Sequence, residues 1–159
     1  MEPKVLTVSI AGYNVASTLE EALDPFFKCK TLDKIEVLIV NDGSTDRTEE
    51  IAEKYVRQSS GSIRLINKEN GGWGSTLNTA IQAGHGKYFK QLDGDDFYSY
   101  ENLDDFVLFL EQNDSDIVYS PFVTFDDKTG AVLRVVGGYD GLVPYRETIR
   151  ISEMEDFCP

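Results

Sequence analysis

Four times in the first hundred residues a short apolar run gives way to a polar turn and then to helical spacing. Val5 to Ile10 is a mostly β-branched run that predicts a buried strand. Ala11, Gly12, Tyr13 and Asn14 form a turn. Ser17 then opens a predicted helix, with Glu20 at capping-box spacing and Leu19, Ala22, Leu23, Phe26 and Phe27 on one face. Pro25 is expected to kink or restart that helix near Asp24. Ile35 to Val40 predicts the second strand, apolar except for Glu36. The turn NDGSTD leads into a helix reaching at least Tyr55, with Asp46 and Glu49 at capping-box spacing. Ile63 to Ile66 predicts a third strand. The glycine-rich turn NGGWGS opens a helix to about Ala83, and Tyr88 to Leu92 predicts a fourth strand that ends at three aspartates.

This alternation predicts an α/β fold with a mostly parallel central sheet, right-handed crossovers and flanking helices. Ligands of such sheets bind beyond the carboxyl ends of the strands. Both NDGS and DGDD fall at such ends, so the topology is expected to bring them to one edge. From Ser99 the pattern predicts a helix with Leu103, Phe106, Val107 and Leu110 inward. A β-hairpin follows, Ile117 to Phe125 and Ala131 to Val136 around the turn DDKTG, and GGYDGLVPYRE reads as loop. No internal repeat or interdomain linker stands out. The chain of 159 residues is therefore expected to be one domain, ending at ISEMEDFCP without a helix-stop signal, as a piece of a longer protein does.

Charge narrows the function. A formal net charge of −13 argues against nucleic acid, which needs Lys and Arg to replace phosphate counterions, and against an anionic membrane surface. The two cysteines, Cys29 and Cys158, have no metal spacing and are expected to be reduced thiols in a cytoplasmic protein, with a single bridge between them as the alternative. No segment approaches the length of a transmembrane helix.

Asp93, Asp95 and Asp96 are the candidate chemistry. Carboxylates this close raise one another's pKa unless a cation offsets them. Mn²⁺ or Mg²⁺ takes hard oxygen ligands, often only one or two from protein, with water or phosphate completing the shell. Gly94 is expected to let the backbone bend and approach a ligand. By itself an Asp-x-Asp in so acidic a chain reads as a solvated turn. Its place at a strand end, facing Asp42 at another, favours a cation. Lys68, Lys87 and Lys90 read as strand-edge or surface residues.

The set VSIAGYN…LEEAL, IEVLIVNDGSTDRT, NKENGGWGSTLN…AGHGKY and QLDGDDF, in order from Val5 to Phe97, resembles the family-two glycosyltransferases of GT-A fold. The resemblance implies a metal-dependent, hexosyltransferase-type enzyme that moves a sugar, with inversion, from a nucleotide donor, typically UDP-linked. The acceptor would be a hydroxyl of a glycan or lipid-linked molecule, as in polysaccharide or cell-envelope biosynthesis. The chain would reach a membrane only peripherally, through parts outside it. By position, Ala11, Gly12, Tyr13, Asn14, Gly72 and Gly94 would belong to the donor pocket, and Asp42 would accept a hydrogen bond from the base. Asp93 would lie against the ribose and the metal, Asp95 would be the principal metal ligand, and Asp96 would shape the turn or contact the sugar.

Three departures from the family pattern qualify this. Ala11 and Gly12 replace Pro and Thr, which is expected to loosen that loop, and Leu77 replaces a basic residue. The family's general base comes from an acceptor-binding part well after the aspartates. Glu153, Glu155 and Asp156 have the right chemistry but read as a charged segment, and no base is assigned. Trp73 reads as core or lid packing with stacking on a base or sugar as the alternative, His85 as a turn residue, and Tyr98, Tyr100, Tyr139 and Tyr145 as packing. Two other functions stay open: a non-catalytic nucleotide-sugar-binding module, and an aspartate-nucleophile phosphatase. The phosphatase motif, however, follows a first strand and continues toward Thr.

Overall fold

A computed structural model of the chain describes residues 3–126 and 128–137. The chain divides after Asn113, and only the first unit carries the predicted α/β alternation. Its strands are β1 (Leu6–Gly12), β2 (Ile35–Asp42), β3 (Ile63–Lys68) and β4 (Tyr88–Asp93), joined through helices α1 (Leu19–Lys28), α2 (Thr48–Gln58) and α3 (Trp73–Ala83), with α4 (Tyr100–Gln112) after β4. All four strands are parallel, in the order β3-β2-β1-β4. In the second unit, β5 (Phe122–Phe125) and β6 (Val132–Val136) form an antiparallel hairpin, so its first strand starts five residues later than the sequence pattern suggests. Tyr139 and Tyr145 lie outside the described residues.

The central strand β2 is buried along its whole length, as a sheet covered on both faces requires. Leu38 and Val40 share one face and pack against Ala80 of α3. Val37 and Ile39, on the other face, are equally buried, and α1 packs against both α2 and α4. Glu36 interrupts this apolar run at 6% exposure. It accepts hydrogen bonds from Thr7 Oγ1 (2.9 Å), the His85 amide (2.8 Å) and Arg64 (2.9 Å), and its Oε1 lies 3.0 Å from His85 Nδ1. His85 is thus a partner of a buried carboxylate rather than only a turn residue. Burial pushes the Glu36 carboxyl up, but the His85 and Thr7 hydrogen bonds and the Arg64 charge outweigh it and hold it below the ordinary range.

Two local expectations fail. Neither capping box forms: Thr18 precedes α1 and Arg47 precedes α2, both without a side-chain cap. Glu49 is drawn instead to Asn67 Nδ2 at 2.6 Å. Pro25 does not restart α1, which runs unbroken through it. Burial of Leu23, Pro25 and Phe26 outweighs the lost backbone hydrogen bond, as tertiary packing commonly outweighs local propensity.

Glu36→Ala is expected to cost about 2 kcal/mol or more by stranding the buried donors around it. Because the folded carboxyl titrates below its unfolded value, that contribution is full at neutral pH and fades as pH falls through the folded pKa. Denaturant titrations of wild type and variant should therefore differ at pH 7 and converge in acid.

Candidate active site

The sheet's strand order places its switch point between β1 and β4, where the chain, having built outward to β3, returns to the other side of β1. The parallel register sets Ala11 opposite Asp93 across β1 and β4, and Gly12 opposite Asn41 across β1 and β2. Beyond these strand ends lies a cleft of about 680 Å³, within the usual size of a small-molecule site. Ala11, Gly12, Tyr13, Asn14, Asp42, Gly72, Asp93, Gly94 and Asp95 all line it. These nine residues thus face one cavity, whereas Asp96, the third aspartate of the turn, is not among its lining residues. Leu77, the departure in α3, is not among its lining residues.

Asp42 is the buried anchor, at 2% exposure. Its Oδ1 accepts from Lys68 Nζ (2.5 Å) and the Gly71 amide (2.9 Å), and its Oδ2 from the Gly72 amide (2.8 Å). Burial pushes this carboxyl up, yet Lys68 and the two amides hold it below the ordinary carboxylate range, hence ionised. Lys68 is therefore no plain surface residue. Asp42 and Lys68 are register partners across β2 and β3, a pairing that neither local sequence signals. Gly72 has φ of 80°, which a side chain would strain, and this conformation turns its amide onto Asp42 as α3 begins.

The loop from Tyr13 is firmly held, contrary to the looseness expected from Ala11 and Gly12, which are themselves part of β1. The Asn14 amide donates to Ser44 Oγ (3.0 Å), and the Thr45 amide to Asn14 Oδ1 (2.8 Å). Val15 and Ala16 amides donate to Thr48 Oγ1 (2.9 Å) and Asp46 Oδ2 (3.1 Å). The NDGSTD turn thus serves to clamp its neighbour.

Asp93 and Asp95 are exposed in the cleft. Asp93 Oδ1 accepts from Trp73 Nε1 at 2.8 Å, so Trp73 is a rim residue bonded to the acidic turn rather than core packing. Burial, then Asp95 and Asp93, raise the Asp96 carboxyl. Gly94 does not bend through a left-handed conformation. A Cβ there would stand 2.8 Å from the Ala11 carbonyl and 2.9 Å from Val15 Cγ1, so it is close packing that demands glycine. Thr18 Oγ1 donates to the Gly94 carbonyl at 2.7 Å, tying the turn to the start of α1. Tyr98 lies edge-on to Phe26 as packing.

Hard carboxylate oxygens on a tight turn suit a divalent cation. Among the described residues no three His, Cys, Asp or Glu side chains converge as a metal site. Asp93 and Asp95 fit an ion whose remaining ligands come from elsewhere, such as a diphosphate. Cys29 is a buried free thiol, and no helix among the described residues is long and apolar enough to cross a membrane. Cys158, Glu153, Glu155 and Asp156 lie outside the described residues.

A parallel four-stranded sheet flanked by helices matches the architecture of the GT-A glycosyltransferases. TarS of S. aureus, solved in complex with UDP-GlcNAc, is similar at a TM-score of 0.61 and 29% identity, over 68% of this chain and 31% of that one. The mannosyltransferase PcManGT of Pyrobaculum calidifontis, solved with GDP-Man and Mn²⁺, gives 0.58 and 26%, over 65% and 33%. The chain belongs to glycosyl transferase family 2, whose model matches residues 7–151. The glycosyltransferase EpsJ of Bacillus subtilis is 40% identical over 72% of this chain, and GlyG of Streptococcus pneumoniae 28% over 95%. The chain spans 33% of the length of EpsJ and 49% of GlyG.

Gly94→Ala is expected to cost about 1–3 kcal/mol through overpacking against Ala11 and Val15. Gly74→Ala, in α3 with open space around its Cβ, is expected to gain up to about 1 kcal/mol. Thermal unfolding of both variants tests the contrast.

Proposed function

We propose that the cleft binds a nucleotide-sugar donor, UDP-linked, and that this chain carries the donor half of an inverting transfer to a hydroxyl of a glycan or lipid-linked acceptor. One observation carries the reading: Asp42 is ionised at the floor of the same cavity in which Asp93 and Asp95 are exposed. The donors bound by TarS and PcManGT support a nucleotide sugar, and the Mn²⁺ of PcManGT supports a divalent ion.

Asp42 binds the base. Its three internal donors leave one lone-pair direction, on Oδ2, for an N–H such as that of uracil. The clamped backbone from Ala11 to Asn14 walls the nucleoside and excludes water from it. Asp93 would hold the ribose side of the turn, and Asp93 and Asp95 would be the protein ligands of Mn²⁺ or Mg²⁺, with the diphosphate completing its shell. The bound ion supplies positive charge where the leaving oxygen becomes negative. With only two protein carboxylates, the ion and the nucleotide bind best together.

Calorimetry with UDP should show binding that Mn²⁺ strengthens. Asp95→Asn should weaken binding in Mn²⁺ by about ten- to hundredfold, the worth of one charged ligand, and abolish the metal effect. Equal affinity with and without Mn²⁺ in the wild type would overturn the reading.

A further inference from the structure

The backbone around Trp73 is held by hydrogen bonds, while its indole is largely exposed at the cleft rim. Its preceding amide, from Gly72, is bonded to Asp42, and its own carbonyl accepts from Thr76 Oγ1 at 2.6 Å, with Thr76 buried. The indole itself is 56% exposed, so core packing does not explain a tryptophan here. What the indole does is reach across the cleft rim to Asp93 Oδ1, 20 residues on and at 2.8 Å. Among the described residues it is the only side chain that donates to any of the three aspartates of the turn. An indole N–H donates and never accepts, so it holds one carboxylate oxygen without adding charge and leaves Oδ2 for another ligand.

We propose that Trp73 is a positioning residue, which orients the Asp93 carboxylate through its indole N–H so that Oδ2 faces the diphosphate-bound cation. The inference rests on the metal-assisted reading above. It assigns the function of Trp73 to one hydrogen bond and not to the area of its ring. Phenylalanine keeps most of the ring and loses the donor; alanine loses both; histidine returns a ring N–H. A stacking role ranks these variants by ring, a positioning role by donor.

The test is Mn²⁺ titration of the full chain at saturating UDP, followed by calorimetry, with thermal unfolding of each variant as a check on folding. Trp73→Phe is expected to raise the half-saturating Mn²⁺ about tenfold, the effect of one lost hydrogen bond to a charged group, and Trp73→Ala no further. Trp73→His should recover part of the loss. UDP affinity without metal is measured for each variant, so that the change in half-saturating Mn²⁺ is read apart from any change in nucleotide binding itself. Trp73 is also the chain's one tryptophan, so in the wild type paramagnetic Mn²⁺ with UDP should quench its emission while Mg²⁺ with UDP does not. A metal-dependent wild type with Trp73→Phe unchanged, or tighter for Mn²⁺, overturns this inference alone. So does a Phe variant that behaves as wild type while Ala fails, since that is stacking. A wild type indifferent to Mn²⁺ overturns the site reading and this inference with it.

Discussion

Asp42 is a negative charge held where almost no water reaches it, and the cleft takes its form from how that charge is met. An unpaired carboxylate at 2% exposure would take up a proton or draw in solvent. Lys68 and two successive amides meet it instead, at 2.5 to 2.9 Å. The consequences run outward from there. The amides fix the glycine turn, the turn aims the chain into α3, and α3 opens with the indole that reaches Asp93. The floor of the cleft and its acidic rim are thus one connected arrangement, although Asp42 and Asp93 lie on strands that are not neighbours.

The frame of this arrangement was legible in the chain. Apolar runs of strand length, bounded by polar turns and separated by helical spacing, are local signals, and they marked all four strands. Parallel pairing then follows from the crossovers, and with it the gathering of Ala11, Asp42 and Asp93 at one edge. The individual partners were less legible, because they join residues far apart in the chain. Thr18 meets Gly94 across 76 residues and Lys68 meets Asp42 across 26, so no window of sequence contains either pair.

The local rules that failed did so for the same reason. Ser17 with Glu20 and Asp46 with Glu49 have capping-box spacing, but Glu20 is drawn to Lys54 and Glu49 to Asn67, each on another element. Asp46 binds Thr48 and the Ala16 amide, and through them holds the neighbouring loop. The glycines stand out in the sequence, but the structure gives them different reasons. Gly72 needs its left-handed backbone, whereas Gly94 is there because Ala11 and Val15 crowd it. A glycine in sequence announces a constraint without saying which one.

Magnitudes decide how the acidic turn can work. Lys68 is committed to Asp42, and the indole brings Asp93 a neutral donor worth about 1 to 3 kcal/mol. Like charges about 4 Å apart near a protein surface repel by about 4 kcal/mol, and a diphosphate brings more than one such charge to a turn that already has three. The carboxyl of Asp96 is raised by burial first and then by the charges of Asp95 and Asp93. One hydrogen bond cannot offset repulsion of that size, whereas on the proposed reading a divalent cation between the carboxylates and a diphosphate would reverse its sign. On that reading the role left to the indole is geometric: it would decide which oxygen of Asp93 the cation meets, not whether a cation is needed.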